Sequence, residues 1–260
     1  MKIRLDEMTW PELRSILEGK NLILLPLGST EEHGTHLPLD VDSVCATQIA
    51  EKAAAKAMAG LEARVLVAPT IHYTDVAVHK MFPGSVGVRA ETMVLVLKDV
   101  VGAFLAQGFR RIVLFSGHHE NNGPMEMALR TLADSDPQAK LLAVTSMGLG
   151  FDVRPGLVKA GNAGQGHGLE IETSLSLLLQ PQNVCLEKAQ KGSRRLPLGE
   201  RFIGPTGSDR TKGVIYYSGT AGFETTGIYG DPTMASREEG ERIFQAIVDD
   251  LAEIILEVLE

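Results

Sequence analysis

Cysteine, tryptophan and basic charge are all scarce in this chain of 260 residues, and each scarcity removes a class of protein. Cys45 and Cys185 are the only cysteines, too few for a disulfide scaffold. Both fall in stretches that read as core or near-core, which suits reduced thiols. Lysine and arginine total 25 against 33 acidic residues, a net charge of -8. With no concentrated basic patch, the chain offers nothing to attract a nucleic-acid backbone or an anionic lipid surface. The longer apolar windows are broken by charge, as at Lys98 and Asp99, so no membrane span is expected. The opening Met1-Lys2-Ile3-Arg4-Leu5-Asp6-Glu7 has acids where a secretory leader needs an apolar stretch. A cytoplasmic protein with a small-molecule substrate is the expectation.

Several catalytic signatures are missing too. There is no G-x-x-x-x-G-K phosphate loop, and Gly164-x-Gly166 is followed by Leu169 where a dinucleotide fingerprint needs its third glycine. No G-x-S-x-G elbow is present for a serine nucleophile. Cys45 lacks the electropositive setting that activates a thiol.

What is present is a folded-protein composition, 44% apolar and 22% charged, with glycine in excess at 27 residues. Short β-rich runs alternate with segments of helical period. Leu22 to Leu27, Arg64 to Ala68, Ile112 to Ser116 and Leu141 to Thr145 read as buried strands. Ser43 to Ala59, Glu91 to Gln107, Pro124 to Leu132, Leu169 to Leu179 and Glu238 to Val258 read as helices. That alternation predicts an α/β fold with a mostly parallel sheet covered on both faces, formed by residues 1–260 as one domain. Residues 186–235 show little periodicity, and a loop of that length implies a functional segment or a subunit interface.

Two of the strand-like runs lead into similar chemistry. The first is followed by Thr30-Glu31-Glu32-His33-Gly34-Thr35-His36, and the third, after Gly117, by His118-His119-Glu120-Asn121-Asn122. Sites in open α/β sheets collect beyond the carboxyl ends of the strands. In an extended segment the i, i+2 spacing of Glu31 with His33, and of His118 with Glu120, turns a carboxylate and an imidazole to the same side. Such a pair suits zinc or manganese, and Asp42, at the start of the next helix, adds a third carboxylate within reach. Glu31, Asp42 and Glu120 carry three negative charges, so two divalent ions and a bridging hydroxide balance better than one ion. The competing reading is a cluster of solvated acids and hydrogen-bonded histidines at the strand ends. His167 follows a glycine-rich stretch, Gly161 to Gly166, and leads into the helix beginning near Leu169. There the helix dipole favours a neutral imidazole able to accept and pass on a proton; a capping histidine is the structural alternative.

Taken together, Gly28-Ser29-Thr30-Glu31-Glu32-His33-Gly34-x-His36-Leu37-Pro38, Asp42, Phe82-Pro83-Gly84, Gly117-His118-x-Glu120-Asn121 and His167-Gly168-x-Glu170-x-Glu172-Thr173-Ser174 resemble the creatininase (creatinine amidohydrolase) family. The resemblance runs from Met8-Thr9-Trp10 to Ala235-Ser236-Arg237-Glu238. It implies a three-layer α/β/α sandwich, a binuclear metal centre with zinc or manganese, and a homohexamer built from dimers. By the same resemblance Glu31, Asp42 and His118 would hold one ion and His33, Asp42 and Glu120 the other. His167 would be the catalytic histidine, with Glu120 serving catalysis as well as binding. His36, His79, Ser85 and His119 are candidate substrate contacts. Creatininases carry Trp-Asp-x-Glu directly before the catalytic histidine, whereas this chain has Ala163-Gly164-Gln165-Gly166, and its only tryptophan is Trp10.

A metal hydrolase opening a small cyclic amide is therefore expected, by attack of a metal-bridging hydroxide. The alternatives are ring opening of a keto-inositol on the same metals, or a non-catalytic metal-binding homologue.

Overall fold

The computed structural model describes residues 2–161, 166–192, 226–228 and 230–260. Its centre is β1 (Asn21–Leu27), whose residues are all buried. A strand so apolar along its whole length can only be satisfied with cover on both faces. Leu22 and Leu24 point into one core and Ile23, Leu25 and Leu27 into the other, as the two-residue period of a strand requires. β2 (Arg64–Val67), β3 (Arg111–Ser116) and β4 (Lys140–Thr145) complete a sheet of order β2-β1-β3-β4. Every pairing is parallel, with Leu24 beside Val67 on one side and Val113 on the other. Pro26 is tolerated in so central a strand because its missing N–H lies on the β2 side, where pairing stops at Val67 and the chain turns away.

Helices α2 (Val41–Ala57), α5 (Glu170–Leu179) and α6 (Arg237–Leu259) cover the Leu22 face. Helices α1 (Trp10–Leu17), α3 (Ala90–Gln107) and α4 (Asn122–Ser135) cover the Ile23 face. The architecture is the expected three-layer α/β/α sandwich with a parallel sheet. The predicted strands and helices all form, with ends displaced by a few residues. α1 has no counterpart among the predicted helices, although Thr9 and Glu12 form a capping box at its start. Most of the aperiodic stretch at 186–235 lies outside the described residues. Among the described residues, no helix is long and apolar enough to cross a membrane.

α2 approaches the sheet closely because its inner face is lined by Ala46, Ala50, Ala53 and Ala54 around Ile49. α6 approaches α5 through Gly240, where a Cβ would lie 2.1 Å from the carbonyl oxygen of Ser174. Gly240→Ala therefore forces the two helices apart. The expected loss is about 2–3 kcal/mol, read as a lower urea midpoint at unchanged slope. A loss below about 0.5 kcal/mol, the scale of ordinary surface changes, would show that these helices do not pack so closely in solution.

Candidate metal centre

β1 and β3 are neighbours and end side by side, Leu27 opposite Ser116. The segments that follow them leave the sheet together. Both pass over the first turn of α2 at glycines: a Cβ on Gly28 would lie 2.4 Å from Ser43 Cα, and one on Gly117 would lie 2.4 Å from the Asp42 carbonyl oxygen. Side chains there would hold α2 away from the strand ends. Their absence lets Asp42 stand between the two post-strand segments.

Asp42 is the shared element of the cluster. His118 Nδ1 lies 3.0 Å from Asp42 Oδ2 and 3.1 Å from Glu31 Oε1. His33 Nε2 lies 3.3 Å from Asp42 Oδ1 and 3.8 Å from Glu172 Oε2. The far nitrogen of each ring is taken by the backbone: His118 Nε2–H donates to the Asp75 carbonyl at 2.8 Å, and His33 Nδ1–H to the Glu31 carbonyl at 3.1 Å. Each imidazole thus turns its remaining nitrogen toward two carboxylates, as a metal-ligating histidine does when its other nitrogen is anchored. Glu120 stands beside His118, Oε2 to Nε2 3.7 Å, and groups with Glu31 and His118.

The electrostatics call for cations. Glu31 and His33 are 0% exposed and Asp42 3%, and no lysine or arginine pairs with these acids among the described residues. Both oxygens of Glu31, Glu120 Oε2 and His33 Nε2 lack a hydrogen-bond partner although buried, which a stable core does not leave uncompensated. Burial opposes charge on His33, yet the carboxylates of Asp42, Glu172 and Glu31 together outweigh it and raise its pKa to about 10. His118 is likewise held well above the usual histidine range, with burial opposed by Glu31 and Asp42. Burial also works against ionisation of Asp42, but His33 and His118 hold its carboxyl well below the usual range. Glu172 goes the other way, raised by burial with Asp42 adding to it. A pair of divalent ions is a fit for this set of donors: imidazole nitrogens opposed to carboxylates, in two groups that share Asp42.

A second array lies beside the first. Glu32 Oε1 is 2.7 Å from His79 Nδ1 and 3.1 Å from His167 Nε2. His167 stacks on His79 with ring centroids 3.8 Å apart and tilts against His33 at 4.4 Å. Its Nδ1 faces Glu31 Oε1 at 3.6 Å. His167 sits in the turn that precedes α5, three residues before Glu170, the first residue of that helix.

The residues singled out by sequence thus come together: Glu31, His33, Asp42, His118, Glu120 and His167 form one contiguous cluster. At His33 the neighbouring carboxylates are Asp42 and Glu172, while Glu120 groups with Glu31 and His118. Three of the four candidate substrate contacts are engaged from behind: His36 Nε2 bonds Thr173 Oγ1 at 2.8 Å, His79 bonds Glu32, and Ser85 Oγ accepts the Glu32 N–H at 2.9 Å. Burial, followed by the charge of His33, lowers the His36 pKa to about 4. His119 alone of the four is exposed. Glu32 and Glu172 had no assigned role. The signal for Glu172 was its place five residues after His167, since the first turn of α5 carries its Oε2 back to the Gly168 N–H at 2.6 Å.

Fold and cluster together define an α/β protein with a candidate metal centre of carboxylates and imidazoles at the carboxyl ends of a parallel sheet. The chain belongs to the creatininase family: the family described as creatinine amidohydrolase matches residues 6–255. Its relatives include a mycofactocin precursor peptide peptidase of Mycobacterium tuberculosis (strain CDC 1551 / Oshkosh), 33% identical over 88% of this chain and 82% of the relative. A 3-dehydro-scyllo-inosose hydrolase of Thermotoga maritima is 27% identical over 97% of this chain and 82% of its own length. Among solved structures, a zinc–zinc form of a glutamate-to-glutamine creatininase mutant superposes with TM-score 0.78 at 24% identity, covering 99% of this chain and 98% of that one. The protein is accordingly a hydrolase of a family whose members act on creatinine, on an inosose and on a precursor peptide.

Proposed function

We propose that this chain is a binuclear-metal amidohydrolase that cleaves a C–N bond in a small cyclic amide. The observation that carries the reading is the Asp42 carboxylate, shared between His118 Nδ1 and His33 Nε2, each on a ring anchored by its other nitrogen. Glu31, Asp42 and His118 would hold one ion and His33, Asp42 and Glu172 the other, with Glu120 at the edge of the first group. Bound there, zinc or manganese would polarise a carbonyl and lower the pKa of water toward about 7. The chain's own residues do the rest. His33 and His118 must give up their protons to become ligands. Buried Glu31 and Asp42, both held below the usual carboxylate range, keep the site anionic. His167, beside this cluster and open at its Nδ1, accepts a proton and delivers it to the leaving nitrogen.

A second reading, hydrolysis of a peptide amide, is favoured by the 33% identity to the mycobacterial peptidase. It also suits a chain with Ala163-Gly164-Gln165-Gly166 where creatininases place a tryptophan. Ring opening of a keto-inositol is the third, on the likeness to the Thermotoga enzyme.

The test is titration of chelator-stripped protein with zinc or manganese in buffers of differing ionisation enthalpy, followed by assays on creatinine, other cyclic amides, short peptides and keto-inositols. Two ions per chain are expected, with net proton release at pH 7, because His33 holds its proton up to about 10 in the metal-free protein. Apparent affinity therefore rises with pH, by about 1.4 kcal/mol per unit for each proton displaced. Failure to bind either ion overturns the proposal.

A further inference from the structure

Glu31 and Glu32 are adjacent in the chain yet face different partners, Glu31 beside His118 and Glu32 beside His79 and His167. The contrast between the two glutamates is chemical as well as geometric. Neither oxygen of Glu31 has a hydrogen-bond partner, which leaves both for a cation. Both oxygens of Glu32 are taken by donors: Oε1 by His79 Nδ1 and His167 Nε2, and Oε2 by the Gly34 N–H at 2.8 Å. Its own N–H is tied to Ser85 Oγ. The chain closes over this carboxylate at Gly227, φ +76, where a Cβ would lie 2.1 Å from Glu32 Oε2. Such a carboxylate is engaged in hydrogen bonds at both oxygens, and although Glu32, His79 and His167 also lie close enough to group around an ion, the hydrogen-bonded arrangement is the one the distances describe.

From this geometry we infer that Glu32 is the positioning residue for His167, accepting a hydrogen bond from its Nε2–H and turning its Nδ1 toward the metal-ligand carboxylates. The inference rests on the reading of His167 as the proton carrier in hydrolysis. An ionised carboxylate only accepts hydrogen bonds, so it selects the imidazole tautomer protonated at Nε2. The moving proton then arrives at and departs from Nδ1, while Nε2 keeps its own proton and none passes to Glu32. The same carboxylate stabilises the imidazolium that forms when Nδ1 is protonated, the role a buried aspartate plays behind the histidine of a serine hydrolase. His79, stacked on the ring at 3.8 Å between centroids, and His33, tilted against it at 4.4 Å, keep the ring from turning out of this arrangement.

The chain holds only 7 histidines, so zinc-loaded protein labelled with nitrogen-15 histidine yields a resolvable set of ring signals. In the wild type His167 is expected as the Nε2–H tautomer; an Nδ1–H tautomer overturns the inference with no variant needed. Glu32→Gln keeps the shape but can supply its NH2 where the carboxylate oxygen stood. It should shift the His167 nitrogens toward a mixture of tautomers while leaving the zinc content and the His33 and His118 signals in place. On whichever panel substrate the wild type cleaves, the variant should lose about 10²-fold in kcat with KM changed less than about threefold. Unchanged His167 signals, or unchanged kcat with zinc retained, would remove Glu32 from this role. If the wild type cleaves none of the panel, the proposed substrate readings fail while the tautomer measurement still decides the placement of Glu32.

Discussion

Asp42→Asn is expected to abolish binding of both metal ions in a single substitution. The amide keeps the shape but loses the charge that faces His33 from one oxygen and His118 from the other. Residues that merely hold a ligand in place already cost about 10- to 100-fold in metal affinity when changed. A carboxylate shared by both ions must cost more, so bound metal should fall from two equivalents to none at micromolar metal, with hydrolysis falling to background. Glu120→Gln provides the internal comparison: it touches only the Glu31 and His118 group and should leave the other ion bound. Elemental analysis of purified protein reads both. If Asp42→Asn retained two ions per chain, Asp42 would not bridge them, and the two-ion site would have to be redrawn around the remaining carboxylates.

His167→Ala should have the opposite signature, with full metal content and a large loss of turnover. The expected fall in kcat is about 10²- to 10⁴-fold, the scale for a positioned acid–base group. Metal content matters to the interpretation because His167 also groups with Glu31 and His33 in a geometry able to hold an ion. Loss of one equivalent along with activity would make His167 a ligand. Retention of both with lost turnover makes it the proton carrier. Retention of both with normal turnover removes it from the reaction.

Much of this site was legible before the fold. Glu31, His33, His118 and Glu120 announce themselves because carboxylates and imidazoles seldom sit together at strand ends without a reason, and the i, i+2 spacing is local. Asp42 was within reach of the same argument, being one helix start away. The departures are at residues whose meaning depends on distant parts of the chain. Glu172 lies on α5, and only the packing of α5 and α2 on the same face of the sheet brings it to His33. Glu32 read as one more acid in a motif until His79, 47 residues away in the chain, and His167, 135 away, were placed on the same oxygen. α1 went unpredicted although Trp10, Leu13, Ile16 and Leu17 recur at helical spacing, because eight residues are a short run for a helix.

The sequence by itself determined the layers of this protein and the chemistry of its site. Continuous apolar runs must become buried parallel strands, and the residue types that follow two of them suit divalent metals. Those are consequences of local composition and period. Which nitrogen faces which carboxylate, which glutamate is left open for a cation and which is closed by hydrogen bonds was decided only by tertiary structure. Such choices depend on contacts of a few ångströms between segments far apart in the chain. Here they are permitted by the missing side chains of Gly28 and Gly117 at the first turn of α2, and of Gly227 over Glu32.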